Sequence, residues 1–278
     1  MIFKKKVNYL ENLSSIFFVC FIQSNSTSEP KTMKSKFKLD DNNLFIILIV
    51  IAAIINLGVI AFMELESSRL TRLVTIVLLF CYYLFKKEKI NLWTVVAFVF
   101  FISRDVFFQF YEEAWGYKTY LILGTLCYLT IVLERLPKIS EINFKPGVVL
   151  VTLFLVAANT YTLYVIMNMS MVTYTFHDGL EPILLYVYGA AMMILGVQAI
   201  AYNNKYNSNR SLLYIFFAFG FIFSDIAALF AYYFEFGSFY FLDRIFFLGA
   251  MALFMNYGLN YESVKEEYYQ YEMIDKKL

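Results

Sequence analysis

The feature that most constrains this chain is a series of eight apolar stretches. Each is close to the ~20 residues that a helix needs to cross a ~30 Å hydrocarbon core. They lie at 44–62, 70–85, 91–110, 119–133, 147–167, 182–202, 211–234 and 240–257. In lipid every backbone polar group has to be satisfied within its own segment, so stretches of this kind fold as helices. The expected fold class is therefore all-α, a polytopic membrane bundle of eight transmembrane helices. Composition agrees, with 60% hydrophobic and only 16% charged residues, against roughly 45–50% apolar in soluble domains. The 23 Lys and Arg face 22 Asp and Glu, for a net charge of +1. No basic excess of the kind that grips phosphate backbones is present, which argues against a nucleic-acid partner.

The basic residues set the orientation, because Lys and Arg concentrate in cytoplasmic loops. Lys34, Lys36 and Lys38 precede the first stretch, and Lys86, Lys87 and Lys89 lie between the second and third. Arg135, Lys138 and Lys145 lie between the fourth and fifth, Lys205 and Arg210 between the sixth and seventh, and Lys265, Lys276 and Lys277 after the eighth. The opposite side has only Arg69 and Lys118 in its loops, with Arg72 and Arg244 just inside span ends. Both termini are thus expected on the cytoplasmic side, and only an even number of spans keeps the alternation. Residues 1–40 read as an N-terminal extension, 41–260 as the membrane domain and 261–278 as a polar cytoplasmic tail, expected to form a short helix. Lys4–Lys6 followed by an apolar run at 16–22 looks like a weak signal peptide without its A-x-A-type site. Met33 opens M-K-S-K-F-K before the first span, as a bacterial membrane protein often starts. Residues 1–32 are therefore expected to be an upstream mis-start or a disordered extension, and the chain is expected in a bacterial inner (cell) membrane.

Several chemistries are excluded by what is missing. Cys20, Cys81 and Cys127 form no metal spacing, and His177 is the only histidine, expected as a solvated loop residue. Neither a histidine metal cluster nor a conventional triad can be assembled easily, and no metal or cofactor is expected. The H-E-x-x-H, G-x-S-x-G and phosphate-loop patterns do not occur. No lysine lies deep in a span, which removes a retinal Schiff base.

Ionisable side chains inside the membrane mark function by default. Asp105 lies in F-I-S-R-D at 101–105, and Asp225 in F-I-F-S-D at 221–225. Both spans rise from the same side, and at a rise of about 1.5 Å per residue each aspartate sits about 21 Å above the start of its span. The two carboxylates therefore meet if their helices touch. The shared pattern, four spans apart, also fits a parallel four-plus-four duplication. Arg72, Asp243 and Arg244 share this level, while Asn159, Tyr161, Tyr186 and Tyr188 of spans five and six are within reach of it. Small residues, Ala218, Gly220, Ala227, Ala228 and Ala231, make the seventh span thin enough for close packing. Arg104 lies about 100° around the helix from Asp105 and is expected to snorkel to the outer interface. A purely structural reading stands beside the functional one: Asp105 pairs with Arg72 or Arg244, and Asp225 caps a neighbouring backbone.

At these residues the chain resembles the YhhN family, the lysoplasmalogenase-like membrane proteins, over about residues 44–260. That family has eight spans, Gly-Asp in the third, Ser-Asp in the seventh and Lys-Pro-x-Thr early in the second. Arg104-Asp105, Ser224-Asp225 and Arg72-Leu73-Val74-Thr75 stand at those places. The chain departs from the pattern where Arg104 replaces the glycine. It also departs at 123–128, which lacks the family's histidine, and at 246–251, which lacks a Gln or His.

The resemblance implies a hydrolase that cleaves the vinyl-ether bond of lysoplasmalogens without a cofactor, with a membrane lysophospholipid as substrate. Such a bond breaks when its outer alkene carbon is protonated and water adds to the resulting oxocarbenium ion. A protonated carboxyl and an ionised one, as in glycosidases, suit both steps. Asp105 and Asp225 are thus the catalytic candidates. Arg72 and Arg244 are the expected phosphate ligands, and Asn159 and Tyr188 further substrate contacts. The competing expectation is a non-catalytic membrane protein, a lipid or small-molecule transporter or a sensor. The lack of proline inside any span tilts against the broken helices of a transporter.

Overall fold

The computed structural model describes residues 41–86, 91–136, 146–173, 178–234 and 236–260. The described residues form eight helices and no strand: α1 (Asp41–Phe62), α2 (Leu65–Lys86), α3 (Leu92–Phe108), α4 (Ala114–Arg135), α5 (Pro146–Thr173), α6 (Leu180–Tyr206), α7 (Asn209–Tyr233) and α8 (Gly237–Leu259). Among them α1, α2, α4, α6, α7 and α8 are long and apolar enough to cross a membrane. Over the described residues the protein is all-helical, and these long apolar helices make it an integral membrane protein. At 17 residues, α3 is the shortest, about 26 Å at ~1.5 Å per residue. The basic flanks at Lys34–Lys38, at 87–90 and at Lys138 and Lys145 lie outside the described residues, as do Cys20, His177 and the tail at 261–278.

Two units divide the chain, Met1–Leu48 and Ile49–Leu278. Of the first, only the opening turns of α1 belong to the described residues. Within the second, neighbouring helices follow one another in a ring: α2, α3, α4, α6, α7, α8 and back to α2, with α5 packed on α6. Local chemistry places the helix ends. Asn91 caps α3 by accepting the Trp93 N–H at 3.1 Å. Ser208 and Ser211 form a reciprocal capping box at the start of α7. Asn207, at φ 41°, closes α6 with a left-handed residue. Pro146 opens α5, where a missing N–H costs nothing.

The ring is held by aromatic packing and by small residues. Phe98, Phe101, Phe217, Phe221, Phe247 and Phe254 are wholly or almost wholly buried. Phe101 and Phe221 stand one helical turn before Asp105 and Asp225, and their rings lie 4.7 Å apart, so the two look-alike segments face each other. The small residues of α7 do what their pattern predicts. A methyl group at Gly220 would fall 2.9 Å from Ala250 Cβ, so α7 and α8 approach as closely as side chains permit. Large apolar residues such as Ile54, Leu78, Leu92, Leu150 and Phe154 are exposed on the outside, as a lipid-facing surface requires.

Candidate functional site

At the end of the bundle where α3 and α7 finish and α4 and α6 begin, a charged network is buried among the aromatic rings. Arg72 of α2 donates through Nε to Asp105 Oδ2 at 2.6 Å and through Nη2 to Oδ1 at 2.9 Å. This two-pronged contact is the strongest geometry a guanidinium and a carboxylate adopt. The third nitrogen, Nη1, reaches Asp243 Oδ2 of α8 at 3.4 Å. Asp243 in turn accepts the Ser224 hydroxyl at 2.6 Å. Arg72, Asp105 and Asp243 are each about 1% exposed. Charges taken this far from water persist only when paired and hydrogen-bonded, and these are.

Arg104 links this closed cluster to the second aspartate. It is fully buried, with Nε 3.5 Å from Asp105 Oδ1 and Nη1 3.7 Å from Asp225 Oδ1. It does not snorkel. The side chain bends back across the ~100° between neighbouring helix positions and stacks against Phe101 and Tyr120, at 5.1 and 5.4 Å from their ring centres. Its hold is loose: Nη1 donates to the Tyr188 hydroxyl at 3.4 Å, and Nη2 has no hydrogen-bond partner among the described residues. Two guanidiniums, Arg72 and Arg104, thus face three buried carboxylates, Asp105, Asp225 and Asp243.

Asp225 has different surroundings. Its Oδ2 accepts hydroxyl hydrogen bonds from Tyr188, at 2.5 Å, and from Tyr128. It is 8% exposed and lines a small, half-open pocket together with Phe108, Tyr111, Tyr120, Tyr188, Tyr232 and apolar residues of α4, α6 and α7. The space open to water-sized molecules is ≈ 40 Å³, room for about three waters at ~10–15 Å³ each. The pocket depends on Gly124. A methyl group there would overlap the edge of the Tyr188 ring and come within 3.2 Å of Arg104 Cδ.

The structure brings together four of the residues expected at this site, Arg72, Asp105, Asp225 and Tyr188, and separates Arg244 from them. Those four belong to one network, but neither Arg72 nor Asp105 is among the residues lining the pocket. Arg72 is occupied by aspartates within the protein. Arg244 points away from both catalytic candidates, donating to Ser68 Oγ at 2.9 Å, to the Ser68 carbonyl at 3.1 Å and to Asn56 Oδ1 at 3.2 Å. Neither guanidinium faces the pocket as a phosphate ligand would. Tyr161 and Tyr186 are 68% and 43% exposed and lie on the outer surface instead of reaching inward. Asn159 stands on α5, and its side chain lies outside the described residues.

Sequence reasoning misplaced Arg104 at the interface and missed Tyr128 and the Arg69–Glu112 pair. Tyr120, Gly124 and Tyr128 share one face of α4 at helical i, i+4, i+8 spacing; a glycine between two tyrosines on an inward face was the signal available. Arg69 is 2% exposed and donates through Nη2 and Nη1 to the two Glu112 oxygens at 2.6 and 2.9 Å. Glu112 lies in the turn between α3 and α4 and is 67% exposed. Hydrogen bonding from Arg69 holds its carboxyl below the ordinary carboxylate range.

Among the described residues no group of His, Cys, Asp and Glu is arranged to hold a metal. Comparison of the chain with known protein families, curated proteins and solved structures gave no match.

Proposed function

We propose that this chain is an eight-span protein of a bacterial cell membrane, with both ends cytoplasmic, that hydrolyses the vinyl-ether bond of a lysophospholipid at the Asp225 pocket. The observation that carries this reading is a carboxyl group at a pocket wall, bracketed by two tyrosine hydroxyls and a buried guanidinium. Asp225 donates its proton to the outer alkene carbon, and the double-bond electrons form the new C–H bond. The carbon attached to oxygen becomes an oxocarbenium ion. The carboxylate left behind is received by the Tyr128 and Tyr188 hydroxyls, which already donate to it, with the Arg104 guanidinium 3.7 Å away as countercharge, so little reorganisation opposes the step. The same carboxylate then takes a proton from a water as that water's oxygen adds to the cation. The hemiacetal formed loses its glycerol oxygen as an alcohol, leaving a fatty aldehyde. One water is consumed and no redox partner or metal is needed.

In this scheme Asp105 positions and does not react. It holds Arg72 and steadies Arg104 against Asp225. The apolar tail of the lipid lies along the aromatic and leucine-bearing wall, with the pocket admitting only the vinyl-ether group. The small volume of the pocket is also the observation that favours the second reading, a non-catalytic sensor or carrier in which the charge network serves only to hold the bundle. Incubating the purified protein with a lysoplasmalogen, and separately with an acyl lysophospholipid, separates the two. The hydrolase reading expects aldehyde from the first substrate alone, at a rate that Asp225→Asn lowers about 100-fold or more, the usual scale for losing a general acid. No aldehyde from the folded protein overturns it.

A further inference from the structure

We propose that Arg69 is a phosphate-binding residue beside the Asp225 pocket, with the Glu112 carboxylate as its exchangeable partner. The inference rests on the reading of that pocket as a binding site for an amphiphile and adds the chemistry of the headgroup. The Arg69–Glu112 pair is unequal. The guanidinium is 2% exposed, whereas the carboxylate is 67% exposed and sits in a turn. Three aromatic side chains fix the cation in place: Phe108 at 4.8 Å, Tyr232 at 5.2 Å and Tyr111 at 5.8 Å from ring centre to guanidinium carbon. The Tyr232 hydroxyl also accepts from Nε at 3.4 Å. If Glu112 swings away, the fork stays where it is.

A planar fork with two parallel N–H donors fits two oxygens of a phosphate as well as two oxygens of a carboxylate. Phe108, Tyr111 and Tyr232, which hold Arg69, also line the pocket that Asp225 closes. A phosphate exchanged for Glu112 would thus lie beside that pocket. Arg72 and Arg244, whose donors are turned to Asp105, Asp243, Ser68 and Asn56, are not placed to do this. The phosphate chemistry is shared by a lysophospholipid headgroup and by free inorganic phosphate.

The test is isothermal titration of the full-length protein in maltoside micelles, which contain no phosphate. The probes are lysophosphatidylcholine, the monoacylglycerol of equal chain length, and inorganic phosphate. The wild-type protein should bind the lysophospholipid more tightly than the monoacylglycerol. Glu112→Gln should raise lysophospholipid affinity about fivefold, the scale of releasing one partly exposed ion pair, and leave monoacylglycerol unchanged. Arg69→Gln should reduce the lysophospholipid to the level of the monoacylglycerol. Arg69→Lys, which keeps the charge and packs as a similar stem, should lose most of the preference because it lacks the fork. Inorganic phosphate binding with the same Glu112→Gln gain, but without a lysophospholipid preference, would keep the phosphate site and discard the lipid as its bearer. Equal binding of the two lipids together with no phosphate binding overturns the proposal, as does a Glu112→Gln variant with unchanged lysophospholipid affinity. Binding is read without turnover, so a protein that shows the preference but releases no aldehyde loses only the hydrolase reading.

Discussion

Asp105 and Asp225 carry the same side chain at matching places in α3 and α7, yet their surroundings differ at every contact. Asp105 is gripped through both oxygens by Arg72 at 2.6 and 2.9 Å and is 1% exposed. Asp225 has no two-pronged partner. Arg104 stands 3.7 Å away, two tyrosine hydroxyls meet one of its oxygens, and its other side lines a pocket. A buried carboxylate with a close, complete partner set is part of the framework. One with neutral hydrogen bonds, a distant cation and access to a cavity keeps chemistry to spare. Burial and charge alone do not separate the two roles; the completeness of the pairing does.

The two aspartates differ most at the closed Arg72 cluster. Arg72→Met leaves Asp105 and Asp243 buried without their shared cation and should lower stability by about 3–5 kcal/mol, the cost of removing one partner of a buried pair. Denaturant or thermal unfolding in micelles measures this. Adding Asp105→Leu to that variant should restore part of the loss, because an apolar pair of similar volume is often as good as the ion pair it replaces. If the double variant is less stable than the sum of the singles, Asp105 does more than answer Arg72.

At the open end, Asp225→Asn keeps the shape and both tyrosine contacts. Aldehyde release from a lysoplasmalogen should fall about 100-fold or more. Gly124→Ala acts on the same end through packing alone. The added methyl pushes Tyr188 off Asp225 and crowds Arg104, at a cost of about 1–3 kcal/mol, as for other overpacked cores. Its melting temperature and its turnover should fall together. A melting temperature unchanged by Gly124→Ala would mean that Tyr188 is not held where its contacts place it.

The smallest effect belongs to Glu112. Its carboxyl lies below its ordinary value of 4.5 because Arg69 hydrogen-bonds to the charged form. A depressed carboxyl stabilises the fold above its unfolded value, and that contribution fades as pH falls through the lowered one. Glu112 is largely exposed, so this contribution is at most about 1 kcal/mol. Melting curves of wild type and Glu112→Gln should differ at neutral pH and converge below the carboxylate range. A constant offset at every pH would show that the ion pair contributes nothing.

The helices were legible because apolar runs in lipid have few alternatives. All eight stretches overlap described helices, and the misplaced edges have physical causes. The second stretch reads as starting at residue 70, but α2 begins at Leu65. Ser68 and Arg69 look like loop residues, yet both are turned inward, toward Arg244 and Glu112. The third stretch reads to residue 110, and α3 stops at Phe108, where the chain turns through Phe110 and Glu113 into α4. The two aspartates were legible from charge in an apolar setting, and Arg72 from its level. Arg104 was not, because its helical position points it away from Asp105, whereas its long side chain curves back. Tyr128 was hidden among many tyrosines, and Glu112 in a turn that hydropathy reads as mere connection.

Whether Asp105 holds the bundle while Asp225 is free to act can be read from one pair of melting curves. Asp105→Asn and Asp225→Asn are made in the full-length chain and unfolded in the same micelles beside the wild type. Asp105→Asn strips a charge that faces two buried guanidiniums and should lose about 3–5 kcal/mol. Asp225→Asn retains its tyrosine partners beside a pocket that admits water and should stay within about 1–2 kcal/mol of wild type, the scale of a weakened hydrogen bond. A clear gap in that order supports the division of labour. Equal losses, or a larger loss for Asp225→Asn, contradict it and make both aspartates parts of the framework.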